Sequence, residues 1–253
     1  MDLFSRSLSE IPRFLQLTVG LLLSPRESGM EIITNPRSLG EDSTYRQAAI
    51  FFGISLIVTE LLRLPLLTSK ANFTKLLLID AGWMFVCLLI LALLLYGVLK
   101  VYKSQMSRTD IINLSAYYAG VFLILVHTIQ LGYFGLGYAA EVTVSKAQSI
   151  QSPPLKDLWG GAWEWLLTAG LEWFQSGAAA LGALIRFFSF VFLSISFVVL
   201  LLWMAMCWSA YAYLSGFTVG RSVASLLTFL LLSSPIILLF ILVRELALRT
   251  VLS

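Results

Sequence analysis

The sequence predicts an all-α polytopic membrane protein with five transmembrane helices and additional interfacial amphipathic helices. The 253-residue chain is 58% hydrophobic and only 12% charged, whereas a soluble domain has about 25% charged residues. Five apolar stretches each have about 20 or more residues, which is enough to cross a hydrocarbon core of about 30 Å. Because lipid offers the backbone no hydrogen-bond partners, stretches of this kind fold as helices.

The predicted spans are, in order, Gln47–Leu67, Leu76–Leu99, Ile111–Tyr138, Phe187–Trp208 and Ser222–Val243. Around the fourth span the apolar stretch extends from Ala183 to Tyr213, about 46 Å as a helix. We therefore predict one long helix there, joined to the last span by a short turn that contains Gly216. Cys87 and Cys207 lie inside spans, and we expect them to pack as small hydrophobic side chains rather than form a disulfide.

The first 46 residues form an arm in which basic and acidic residues alternate. Inside it, Phe14–Leu23 is an apolar run too short to cross a bilayer. We predict a short helix that starts at Pro12 and lies in the membrane interface. A signal-peptide core has a similar length, but Pro25 follows the run and the acidic Asp2 precedes it.

Residues 47–253 form the membrane domain, and residues 139–181 are an extramembrane insertion within it. The second part of this insertion predicts an amphipathic helix with Glu164 and Glu172 on its polar face. Its apolar face carries Trp159, Trp163, Trp173 and Phe174. Tryptophan favours the membrane–water boundary, so we expect an interfacial or bundle-capping helix, with a partner-docking surface as the alternative.

The charge pattern bears on partners and orientation. A net charge of +3 without a polybasic run gives no indication of nucleic-acid binding. Basic residues are divided almost evenly between the two sides of the five spans. Lys100, Lys103 and Arg108 form a tight basic group in the second connection, which by the positive-inside rule favours a cytoplasmic N-terminus and an external C-terminus.

Ionisable side chains within spans are the candidates for chemistry, because placing them in hydrocarbon costs about 2.5–3.5 kcal/mol. The candidate intramembrane polar cluster, predicted to lie in one leaflet, consists of Glu60, Arg63, Asp80, His127, Gln130 and Arg186. Arg63 lies one turn after Glu60 and Gln130 one turn after His127, so each pair can interact along its own helix.

Two interpretations of this cluster stay open. In the first, Glu60 pairs locally with Arg63, Asp80 caps the start of its helix, Arg186 reaches the headgroups and His127 is hydrogen-bonded in the bundle. In the second, Glu60, Asp80 and His127 line a cavity that relays protons or binds a cation. We favour the first, and expect at least one of Asp80 and His127 to face the bundle interior.

The sequence predicts neither an enzyme nor a bound cofactor or metal. The chain has one histidine, which excludes a metal centre built on several histidines. It also has no nucleophile-elbow, zinc-protease, P-loop or dinucleotide-binding motif.

Three stretches together resemble the Yip-domain family, the five-span Ypt/Rab-interacting-type membrane proteins and their bacterial relatives. They are LLLSPRESGMEIITNPRSL in the arm, LLLYGVLKVYKSQMSRTDIINLSAYYAGVFLI across the second and third spans, and LLLWMAMCWSAYAYLSGFTVGRSVASLLTFLLL across the last two. Ala119-Gly120-Val121 stands where the family usually has a proline. The resemblance implies a five-span membrane architecture without an assigned activity.

These observations predict a non-enzymatic adaptor or scaffold that associates with the bilayer and with other membrane proteins or itself. The resemblance to bacterial family members implies a bacterial inner-membrane location. The alternative is a transporter, a channel or an accessory transporter subunit that uses the polar cluster. Ser233-Ser234-Pro235 would support the alternative if it broke the last span at mid-depth.

Overall fold

The computed structural model describes residues 2–34, 44–63, 73–145 and 178–252. Within these residues the chain is all-helical and has no strand. The helices are α1 (Asp2–Leu23), α2 (Pro25–Thr34), α3 (Thr44–Arg63), α4 (Phe73–Val101), α5 (Arg108–Ser145), α6 (Ala178–Leu214) and α7 (Val219–Leu252). The five helices α3 to α7 are long and apolar enough to cross a membrane, which confirms the predicted fold class.

The predicted spans coincide with these five helices, although the helix ends differ. The described part of the first span is Thr44–Arg63, and its predicted end at Leu67 lies outside the described residues; the other four helices extend beyond both predicted limits. The fourth span is confirmed as one continuous helix, α6, whose 37 residues are about 55 Å long. Cys87 and Cys207 are free thiols.

Two tight connections, α4–α5 and α6–α7, use the same helix-ending motif. After α6, Phe217 N donates to Ala212 O and Gly216 N to Tyr213 O, with Gly216 in the left-handed region at φ 68°. This is a Schellman ending, in which glycine is the preferred residue. The predicted Gly216 turn is thereby confirmed.

After α4 the equivalent left-handed residue is Lys103, at φ 64°. Ser104 N donates to Leu99 O at 2.9 Å, which completes the same pattern. The next helix, α5, then begins with a capping box: Ser107 Oγ accepts from Asp110 N, while Asp110 Oδ2 accepts from Ser107 N. The short α4–α5 connection is therefore fixed at both of its ends.

The chain divides into two compact units. The first comprises Met1–Val58, Ala71–Ile124 and Leu202–Ser253, and the second comprises Thr59–Lys70 and Leu125–Leu201. In the second unit, α5 and α6 approach closely at Gly132, where an added Cβ would lie 2.9 Å from Phe192 Cζ. A small residue is required at this crossing because the phenylalanine ring occupies the space of a side chain.

In the first unit, α4 and α7 pack in opposite directions and are connected at two places. Trp83 Nε1 donates to Phe240 O at 3.1 Å, and the two rings lie 5.0 Å apart. The second place is about five helical turns away, directly after the end of α4, where the hydroxyls of Tyr102 and Thr228 are 2.9 Å apart.

Ser233-Ser234-Pro235 does not break the last span, because α7 continues through Pro235 without interruption, and the segment therefore gives the transport alternative no support. Proline has no N–H to donate to Leu231 O. Ser234 Oγ donates to that carbonyl instead, at 3.2 Å. The serine satisfies the carbonyl and the helix persists.

The predicted start of the arm helix at Pro12 is also wrong. The first helix begins at Asp2, and Pro12 lies inside it. In the sequence, Phe4, Leu8, Ile11 and Leu15 recur at helical intervals, so the residues before Pro12 have their own amphipathic pattern. A second arm helix, α2, follows directly after Ser24.

Candidate functional site

Within the first unit, the arm is attached to α5 and α6 at the corner between α1 and α2. Pro25 begins α2 and has no N–H, so it cannot donate to Leu21 O four residues earlier. The indole Nε1 of Trp203, on α6, donates to this carbonyl at 2.9 Å. An indole nitrogen from another helix thus supplies the hydrogen bond that the proline removes from the arm.

A second hydrogen bond holds the same corner from α5. The hydroxyl of Tyr118 donates to Pro25 O at 2.7 Å. Gly29, one turn into α2, lies against this hydroxyl so closely that a Cβ on Gly29 would overlap it. We call Leu21, Pro25, Tyr118 and Trp203 the arm anchor; all four residues are buried.

Aromatic rings surround the arm anchor. The ring of Tyr118 meets the rings of Trp203 and Tyr211 edge to face, with centroids 6.0 Å and 5.7 Å apart. Tyr211 in turn has its hydroxyl 2.9 Å from Ser115 Oγ. Because the polar atoms are buried and paired, their hydrogen bonds are stronger than they would be in water and costly to lose.

The arm also packs on α3 through Phe14 of α1, and α3 in turn packs on α5. Phe14, Phe51 and Tyr117 form a chain of rings with successive centroid distances of 4.9 Å. Phe14 and Thr18 face this packing and are buried. The arm is therefore fixed by apolar contacts of Phe14 in addition to the two hydrogen bonds at its corner.

A neighbouring face of α1 is apolar and exposed. Ile11, Leu15, Val19 and Leu23 follow one another at four-residue intervals, and Leu23 has 76% of its surface accessible. Side chains at this spacing form one stripe along a helix. The described part of α1 thus has two apolar surfaces, one against the protein and one open.

The two short connections meet at one end of the first unit. Ser104 Oγ donates to Ser215 Oγ at 2.7 Å and accepts from Met106 N at 3.1 Å. Gln105 lies 3.5 Å from where a Cβ on Gly216 would be. The Ser104–Ser215 bond joins the α4–α5 and α6–α7 connections, which lie more than one hundred residues apart in sequence.

The members of the candidate polar cluster belong to both compact units. Glu60 and His127 are buried, with 1% and 9% of their surfaces accessible, and both belong to the second unit. Burial of His127 confirms the expectation that at least one of Asp80 and His127 faces inward. Gln130 and Arg186, in the same unit, are exposed.

The remaining cluster members are placed only by their backbones. Arg63 is the last residue of α3, and its side chain lies outside the described residues, so its pairing with Glu60 stays a prediction. Asp80 lies in the first unit, seven residues after the start of α4 at Phe73. The expectation that Asp80 caps the start of its helix is therefore wrong, because a capping side chain must reach the amides of the first turn.

One further buried polar group lies beside Glu60. Thr59 is completely buried, and its hydroxyl has no hydrogen-bond partner within the described part of the chain. Among the described residues, no three of His, Cys, Asp and Glu come together in a way that would hold a metal ion.

The predicted Trp-rich helix lies outside the described residues. Trp159, Trp163, Trp173 and Phe174 lie between the described ranges 73–145 and 178–252. Its amphipathic character and its interfacial position stay predictions.

Comparison with known proteins gives no relative. No protein-family model, no curated protein and no solved structure matches this chain. The resemblance to the Yip-domain family accordingly stays a prediction from the sequence.

The arm anchor was not predicted as a site from the sequence, although a signal for it was present. The three stretches that carry the family resemblance contain Pro25 and Gly29, Ser115 and Tyr118, and Trp203 with Tyr211. These residues meet at the arm corner. Recurring small, aromatic and hydroxyl residues in separate apolar segments indicate where such segments approach one another.

Proposed function

We propose that this protein is a non-enzymatic integral membrane adaptor or scaffold, which presents its docked arm to other membrane proteins or to the bilayer. The observation that carries the proposal is the double attachment of the arm by Trp203 and Tyr118, which holds the open apolar stripe of α1 in a fixed position. A preorganised surface loses less conformational freedom on binding than a mobile one.

The proposal extends to family and location. The three stretches of the sequence that resemble Yip-domain proteins contribute residues to one buried cluster, and this supports the resemblance. We propose a bacterial inner-membrane location with the N-terminus in the cytoplasm. The exposed Lys100, Lys103 and Arg108 support that orientation through the positive-inside rule.

The test of the adaptor function is purification of the full chain from its native membrane in mild detergent. We expect a stoichiometric membrane-protein partner that is lost in the double variant Trp203→Phe, Tyr118→Phe. The matched control is Trp83→Phe with Tyr102→Phe, which removes an indole and a phenol hydrogen bond from the α4–α7 pair instead. Equal loss of the partner in both double variants would refute a role for the docked arm.

The second candidate function is transport, and one observation favours it. Thr59 and Glu60 are consecutive residues of α3. Both are buried, and both belong to the same unit as the buried His127. Buried ionisable groups in spans are associated with proton and ion pathways. Uptake of protons or Na⁺ by the purified chain in liposomes, abolished by Glu60→Gln, would favour transport over the adaptor function.

A further inference from the structure

Five exposed cations lie at the end of the first unit where the two short connections meet. They are Arg26, Lys100, Lys103, Arg108 and Arg221, which we call the basic end. In the sequence Lys100, Lys103 and Arg108 form the basic group of the second connection, whereas Arg26 and Arg221 lie in distant parts of the chain. The fold assembles them into one positively charged surface.

Contacts of the described residues fix this assembly. The Ser104–Ser215 bond joins the connection that carries Lys103 to the connection that precedes Arg221. The guanidinium of Arg26 lies 5.3 Å from the centre of the Tyr213 ring, two residues before Ser215. The arm therefore contributes its own cation to the same end.

Lys100 and Lys103 are held by the end of α4 itself. The ammonium of Lys100 donates to Ser104 O at 3.3 Å and lies 5.7 Å from the centre of the Tyr96 ring. Lys103 occupies the left-handed position of the helix ending. A lysine rather than a glycine in this conformation costs about 1 kcal/mol, so the position of this charge is maintained at a cost in stability.

Acidic residues do not neutralise this surface within the described segments. The carboxylate of Asp110 accepts a hydrogen bond from Ser107 Oγ at 2.6 Å. Glu27 and Glu31 are exposed on α2. The cations outnumber the acids among the described residues of the basic end, so the surface suits an anionic partner.

Exposed apolar side chains stand directly beside the cations. Val101, between Lys100 and Lys103 in sequence, has 79% of its surface accessible, and Val219, two residues before Arg221, has 82%. An acidic protein segment offers carboxylates to the cations, but it covers the valines only where apolar residues are spaced to match them. A phospholipid offers both a phosphate and acyl chains, and so matches the paired chemistry.

We propose that the basic end binds the headgroups of anionic phospholipids, with the cations on the phosphates and Val101 and Val219 at the boundary of the acyl chains. This inference does not depend on the adaptor function. It concerns the lipid composition that the protein recognises, and it places the basic end in the leaflet that carries anionic lipid.

The test uses the full chain in neutral detergent, titrated with dioleoyl phosphatidylglycerol or dioleoyl phosphatidylcholine and followed by native mass spectrometry. We expect tighter binding of phosphatidylglycerol. The variant Lys103→Asn, Arg221→Gln should lose about fivefold in that affinity for each cation removed. Asparagine tolerates the left-handed conformation of Lys103, so this change removes charge with little strain.

Two controls separate the charge effect from general damage. Arg186→Gln removes an exposed cation of α6 in the second unit. Although Arg186 is predicted to reach headgroups, its loss should lower the preference for phosphatidylglycerol far less than the double variant does. The double variant Lys103→Asn, Arg221→Lys keeps the charge at position 221, and it should bind phosphatidylglycerol as tightly as Lys103→Asn alone. If the double variant aggregates, the single variant Lys103→Asn decides the result by its own fivefold loss.

Three results would overturn the proposal. One is an equal affinity for the two lipids in the wild-type chain. Another is a loss of preference in Arg186→Gln as large as in the double variant. The third is displacement of the lipid by inorganic phosphate or by an acidic peptide at comparable concentrations, which would identify a site for soluble anions or for a protein partner.

Discussion

The first part of α5 and its later part have similar apolar sequences and very different surroundings. Leu114, Tyr117 and Val121 are buried among protein side chains, whereas Tyr133 and Phe134 are exposed. In the buried part, polar atoms such as those of Ser115 and Tyr118 pair with neighbouring chain segments. The exposed part instead presents apolar side chains, as expected where lipid replaces protein.

Apolarity alone therefore does not assign a function to a part of a membrane helix. Lipid is as apolar as a leucine side chain, so apolar contacts give little preference for protein over lipid. Hydrogen bonds and close contacts at small residues do give such a preference. They occur in the arm anchor, and they make the buried part of α5 the better candidate for a specific role.

The largest expected effect comes from filling the space at Gly29. A leucine there would overlap the Tyr118 hydroxyl, and overpacking of this kind costs about 1–3 kcal/mol. We expect trypsin to cleave after Arg26 about 10- to 100-fold faster, because the arm opens more often. Gly97→Ala, at a site with no atom within 4 Å of the added Cβ, is the control. An unchanged cleavage rate in Gly29→Leu would contradict the close packing of α2 on α5.

The next effect tests the hydrogen bond that replaces the missing proline amide. Trp203→Phe leaves Leu21 O buried without its donor, at a cost of about 1–3 kcal/mol. Hydrogen exchange should accelerate in α1 and α2 by about tenfold and remain unchanged in α7. Trp83→Phe should produce the reverse pattern, because its indole donates to Phe240. Faster exchange in both regions in either variant would mean that the arm is not a separate structural element.

A smaller effect is expected where the two connections meet. Ser104→Ala removes the hydroxyl that joins Ser215 and caps Met106 N, a loss of about 1 kcal/mol. The thermal unfolding midpoint in detergent should fall by about 2–4 °C. Ser209→Ala, which removes an exposed hydroxyl bonded only to Met206 O of its own helix, should change it much less. A larger fall in Ser209→Ala would show that the Ser104–Ser215 bond adds little.

The smallest effect is predicted for Thr59. Its buried hydroxyl has no partner among the described residues, so Thr59→Val exchanges an unsatisfied polar group for a methyl group of similar shape. The free energy of unfolding should stay within about 0.5 kcal/mol of wild type or rise. Ser115→Ala, which breaks the contact with Tyr211, should lower it. A loss above about 1 kcal/mol in Thr59→Val would reveal a bound partner at this hydroxyl and strengthen the transport alternative.

Span number and helix type were predictable because they depend on local composition and length. Apolar runs longer than the bilayer core specify helices wherever their neighbours lie, and Gly216 marked the last turn because its backbone needs a left-handed conformation. A proline does not by itself end a helix in this chain. The predicted start at Pro12 was wrong because the helical pattern before it continues in α1, and α7 passes through Pro235 because Ser234 replaces the lost hydrogen bond.

The five apolar helices and the long α6 follow from the composition and length of single segments, and both were predictable from the sequence. Which segments contact one another, in contrast, is seen only in the tertiary structure. The arm anchor joins Leu21 to Trp203, and the basic end gathers Arg26, Lys103 and Arg221. Such sites depend on packing between residues distant in the chain, and the periodicity of a single segment carries no information about its neighbours.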